Sequence, residues 1–110
     1  MDKDAMLKAA SAAAAKKANG QVLRTINILR DKFNSLDVVQ SILDGSGVRI
    51  DEFRDALNYL MLAGYIQIRK VDTQMPADLA DVSYKECEAR LSAKGIQLLG
   101  GVIKDEMVEV

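Results

Sequence analysis

The chain has 110 residues, 49% of them hydrophobic, with one cysteine, no histidine and a formal net charge of −1. That length suits one domain, a single thiol excludes an internal disulfide, and the lack of imidazole excludes histidine-based catalysis and metal ligation. No apolar run approaches the roughly 18 residues of a membrane span, and the charged opening Met1-Asp2-Lys3-Asp4 does not resemble a signal peptide, so a cytoplasmic protein of bacterial or phage type is expected.

Residues 5–18, "AMLKAASAAAAKKA", have the composition of an Ala-rich helix, and Asn19-Gly20 reads as its stop. Alanine offers little area to bury, so residues 1–19 read as a frayed tail, a helix lying on the domain or an arm reaching a second chain. Residues 21–33 predict a second helix, with Val22, Leu23, Ile26, Leu29 and Phe33 on one face. A short helix over 37–44 follows, with Asp37 as its cap and Val38, Val39, Ile42 and Leu43 apolar. The "DGSG" at 44–47 is a turn.

The spacing then predicts a helix over 50–63, burying Ile50, Phe53, Leu57, Leu60 and Met61 beside the small Ala56. Gly64 stands where a left-handed residue ends a helix. "YIQIRKV" alternates as a strand, with Ile66 and Ile68 on one side and Tyr65, Gln67 and Arg69 on the other. A loop containing Pro76 leads to a second strand over 82–91, with Cys87, Ala89 and Leu91 turned inward, so the two strands are expected to form an antiparallel hairpin. Ser92 caps a final short helix to about residue 100, and residues 102–110 form an acidic tail. The fold class is therefore mainly α with a small antiparallel β-hairpin.

The element order, together with "IDEFRDALNYLMLAGYIQI" at 50–68 and "ARLSAKGIQLL" at 89–99, resembles the winged helix-turn-helix family, in the manner of small prokaryotic or phage-type regulators. The resemblance spans about residues 20–101, with the Ala-rich helix as an addition. It implies that the helix at 50–63 reads double-stranded DNA and that the strand-loop-strand forms a wing beside it. Carried over position by position, it assigns DNA-binding roles to Arg49, Arg54, Asn58, Arg69 and Lys70. Arginine suits guanine edges, asparagine suits adenine edges, and the remaining cations suit phosphates. Lys16, Lys17 and Arg24 add an upstream basic patch.

Charge divides the expectation. Residues 1–35 carry seven Lys/Arg against three Asp, residues 36–70 carry four against five acids, and residues 71–110 carry four against eight. The basic front suits a polyanion, or the two ends attract each other within a chain or across a homodimer. The helix face at 51–55 and the loop with Asp72, Asp78 and Asp81 are acidic, so a protein-interaction module whose partner has a basic surface is the competing reading. No catalytic residues, metal ligands or cofactor are expected. "GIQLLGG" lacks the Lys-Ser/Thr of a phosphate loop, "DGSGVRIDE" has the wrong oxygen spacing for calcium, and Cys87 reads as an inert core thiol.

Overall fold

The computed structural model describes residues 2–110. Among them are four α-helices, α1 (Lys3–Ile26), α2 (Leu36–Gly45), α3 (Ile50–Leu62) and α4 (Ala93–Leu99). Three strands, β1 (Asn34–Ser35), β2 (Ile66–Lys70) and β3 (Cys87–Leu91), pair antiparallel in the order β1-β3-β2. The protein is mainly helical, with a small three-stranded sheet.

Each element follows from local chemistry. α2 is capped by Ser35, whose hydroxyl accepts from Val38 N, and not by Asp37, which lies in its first turn. In α3, Phe53, Ala56, Leu57 and Leu60 recur at helical spacing and pack on α1 and α2. Gly64 takes φ +81°, and Tyr65 N returns a hydrogen bond to Leu60 O, so the chain reverses from α3 into β2. β2 buries Ile66 and Ile68 and exposes Gln67. β3 buries Cys87, Ala89 and Leu91 at the centre of the sheet, where Ala89 faces Asn34 on one side and Ile68 on the other. A single 3₁₀ turn, Tyr84–Glu86, precedes it, so the second strand begins at Cys87 rather than Val82. Ser92 caps α4 by accepting from Gly95 N, and its own hydroxyl donates to Gly64 O.

Several expectations are corrected. Asn19-Gly20 does not stop a helix, because α1 runs through it for 24 residues. The reason is tertiary. The C-terminal segment crosses α1 at this point, and a Cβ at residue 20 would overlap the Glu109 carbonyl oxygen. Asn19 is buried and donates to Met107 O at 2.8 Å. The helix predicted over 21–33 ends at Ile26, and Asn34 Nδ2 donates to Ile26 O at 2.7 Å, closing the turn that follows. Leu29 is consequently exposed, as are Val38, Ile42 and Ile50 on the outer faces of their helices. Tyr65 is buried, not on the outer side with Gln67. The core joins α1, α2, α3 and the inner face of the sheet, and the tail closes it with Val108, which is 3% exposed.

Candidate nucleic-acid interface

The outer face of α3 borders a cleft of about 770 Å³ whose other wall is the segment 79–85. Ile50, Arg54 and Asn58 line one side, Leu79, Val82 and Lys85 the other. Arg54 and Asn58 are four residues apart, hence one above the other on the helix surface, and both are exposed. Neither side chain has a hydrogen-bond or ion-pair partner among the described residues. Tyr84 packs edge-on against Phe53, with ring centroids 5.2 Å apart, and contributes to the lining; its buried hydroxyl makes no hydrogen bond with the described residues.

The electrostatics of the cleft are mixed. Asp51, Asp55 and Asp81 line it together with the two cations Arg54 and Lys85. Arg49, the N-cap residue of α3, stays on the surface but is engaged. Its Nε lies 3.3 Å from Asp51 and 3.4 Å from Glu52, and its backbone N–H donates to Glu52 Oε1. Asp51 and Glu52 occupy the first turn of α3, where carboxylates complement the helix dipole.

The other expected contacts are dispersed. Arg69 Nε donates to Glu88 at 2.6 Å, and its guanidinium lies 3.7 Å from the Phe33 ring centroid, with Arg90 also over that ring. Arg69 is thus committed to holding the turn after α1 against the sheet. Lys70 is partly exposed, with Asp72 at 4.0 Å. Arg24 donates to the Glu109 carbonyl at 2.7 Å and so pins the tail. Lys16 and Lys17 are exposed on α1, and Lys17 shares a small pocket with Glu52. Of the eight expected contacts, the structure brings Arg54 and Asn58 together on one face with Arg49 at its head, while Lys16, Lys17 and Arg24 belong to α1.

Two residues matter that sequence reasoning passed over. Lys85 closes the far wall of the cleft, and its signal was its position as the sole cation between Lys70 and Arg90. Asp105 accepts from both Tyr59, at 2.6 Å, and Tyr65, at 2.7 Å, and so fixes the tail beside α3 and β2. Burial and the Asp105 hydrogen bond push both tyrosines up to about 12. For Asp105 burial acts upward, but the two hydroxyls, the Met107 N–H and the Lys94 charge outweigh it and hold the carboxyl below its ordinary value. Burial, aided by Glu86, raises the Cys87 thiol, which favours the inert form.

No helix among the described residues is long and apolar enough to cross a membrane, and no group of three or more His, Cys, Asp or Glu there could hold a metal ion. Comparisons with protein-family models, with curated proteins and with solved structures gave no match for this chain.

Proposed function

We propose that the chain is a winged-helix DNA-binding module, a small cytoplasmic regulator of phage or prokaryotic type, with α3 as the reading helix and the β2–β3 connection as the wing. The observation that carries this reading is the Arg54/Asn58 pair. These are the two side chains on α3 best suited to base edges, they stand one turn apart on an exposed face, and no hydrogen bond or ion pair among the described residues occupies them. The order of α1, β1, α2, α3, β2 and β3, with α3 set on the surface by two helices behind it, supports the same reading. Lys85 and Lys70 stand on the far side and at the base of the loop, where phosphates would pass.

A competing reading has its own observation. Three carboxylates share the cleft with two cations, and Arg69 and Arg24 are used internally. A protein-interaction module would present this acidic, partly apolar cleft to a basic segment of a partner.

Fluorescence anisotropy of a labelled random duplex at low salt separates the two, because phosphate-driven affinity is greatest there. Binding that Arg54→Ala or Asn58→Ala weakens by about 1–3 kcal/mol on a preferred sequence supports the DNA reading. No binding at low salt overturns it in favour of the protein partner.

A further inference from the structure

The segment after α4 crosses α1 in a groove that holds it chiefly by its backbone. Lys16, Gly20 and Arg24 recur every four residues on α1, with Asn19 beside them, and so share one face. Asn19 Nδ2 donates to Met107 O at 2.8 Å, Arg24 Nη1 donates to Glu109 O at 2.7 Å, and Glu109 N donates to Lys16 O at 3.1 Å. The missing Cβ of Gly20 lets the Glu109 carbonyl lie against the helix. For α1 alone these residues are unfavourable: glycine inside a helix costs about 1 kcal/mol relative to alanine, and asparagine is also poorer. The helix is otherwise rich in alanine, yet it has asparagine and glycine where the segment crosses. Two side chains of the segment are read as well. Val108 enters the core, and Asp105 accepts from Tyr59 of α3 and from Tyr65 just before β2. The side chains of Glu106, Met107 and Glu109 stay exposed.

The geometry points to a peptide-binding groove that residues 105–109 occupy in cis, and that takes in their place an extended acidic segment of a partner protein with the pattern Asp-x-x-Val. Three features select that occupant. The contacts at 107 and 109 go to backbone atoms, so they hold an extended chain whatever its side chains there, while pockets for particular side chains supply the choice. The tyrosine pair and the Val108 site set that choice as a carboxylate three residues before a small aliphatic side chain. Charge agrees. α1 carries Lys16, Lys17 and Arg24 and no acid after Asp4, Lys17 being shared with Glu52 of α3, and the Lys94 charge acts on Asp105. Residues 102–110 carry Asp105, Glu106 and Glu109 against Lys104. Gly100 and Gly101, the latter at φ +78°, form the joint on which the segment leaves the groove without disturbing α4. Tethered so closely, the segment acts on its groove at an effective concentration on the order of mM, and a partner binds by competing with it.

The probe is a fluorescein-labelled peptide with the sequence of residues 102–110, added to the full chain carrying Val108→Asp. That substitution expels the segment, which faster amide exchange at 107–109 reports, and leaves the groove residues in place. No DNA enters the test, so its outcome is independent of the DNA reading. Anisotropy should show saturable binding to this variant and at least about 10-fold weaker binding to the unaltered chain, whose own segment competes. The peptide should also raise the melting temperature of the variant. Asp105→Ala or Val108→Asp in the peptide should each weaken binding at least about 10-fold, and Gly20→Ala added to the Val108→Asp chain should abolish it. Asp105→Ala serves as a second released chain in case Val108→Asp does not fold. Absence of peptide binding to a folded, released chain, or binding unaffected by Gly20→Ala, would overturn the inference. So would a segment that neither substitution releases, or loss of fold in both chains with no recovery on adding peptide, since either makes the segment a fixed part of the core. Self-association of the unaltered chain by exchanged tails would give the groove to a second copy and overturn the partner assignment.

Discussion

Asp105 shows how one side chain decides whether a segment is a tail or part of the domain. Its carboxylate takes hydroxyl hydrogens from Tyr59 and Tyr65 while Met107 N–H donates to its other oxygen. Removing it in Asp105→Ala leaves Tyr65, which is only 5% exposed, with a buried hydroxyl lacking its acceptor. The expected loss is about 2 kcal/mol, or roughly 10 °C in melting temperature for a domain of this size. The same site sets both ends of the pH profile. Asp105 is held below its unfolded value, so its stabilisation is present above about pH 4 and is lost as pH falls through the lowered folded value. The tyrosines are raised, so their contribution is present below about pH 10 and is lost as pH rises toward about 12. Thermal melts from pH 3 to 11 should therefore decline at both ends, and Asp105→Ala should flatten the acid limb. Arg69 and Arg54 differ in the same residue-level way. Arg69→Ala removes a half-buried ion pair and a stack on Phe33, so it should cost about 1–2 kcal/mol of stability and leave any ligand affinity largely unchanged. Arg54→Ala should reverse that pattern, because Arg54 holds nothing in place; chemical denaturation beside a binding titration of each variant checks the contrast.

Among the elements, α2, α3, α4, β2 and β3 were legible because their periodicity is local and strong. Phe53, Leu57 and Leu60 mark α3, the alternation of Ile66 and Ile68 marks β2, and Ser92 caps α4. What was not legible came from partners distant in sequence. β1 has two residues, Asn34 and Ser35, with no strand composition, and exists because β3 offers it an edge. Val38, Ile42 and Ile50 fit an apolar pattern but face outward, since each helix has only one packed side. Asn19-Gly20 has the local chemistry of a stop, yet it serves the crossing of residues 107–109, which are far along the chain. The outer pair Arg54 and Asn58 was readable, whereas the internal use of Arg24 and Arg69 depends on tertiary contacts that spacing does not encode. Gly20 makes this measurable. In an ordinary exposed helix Gly→Ala stabilises by about 1 kcal/mol. Here the new methyl displaces the Glu109 carbonyl, so Gly20→Ala should leave α1 intact and lift the tail. Faster amide exchange at Val108 and Glu109, and faster tryptic cleavage after Lys104, are the expected signs; unchanged exchange at both amides would show that the tail does not depend on this glycine.

For the molecule as a whole, the basic front and acidic back do meet, but not as charges. The seam between α1 and the tail is made of Asn19 to Met107 O, Glu109 N to Lys16 O and Arg24 to Glu109 O, with no ion pair there among the described residues. The front lysines therefore keep their charge for something else, and salt reports what that is. If α3 and the loop meet duplex DNA with Arg54 on a base edge, one copy has two cations placed for phosphates, Lys70 and Lys85. Each neutralised phosphate steepens the slope of log K against log salt by about 0.9, so one copy gives a slope of roughly −1.8 and loses about 10-fold in affinity between 50 and 200 mM salt. Two copies bound side by side double the slope and lose about 10²-fold over the same interval. Duplex titrations at several salt concentrations should thus give a slope near about −1.8 or twice that, and Lys85→Ala should reduce it by half. A slope near zero would mean that phosphate is not what the outer face of α3 engages.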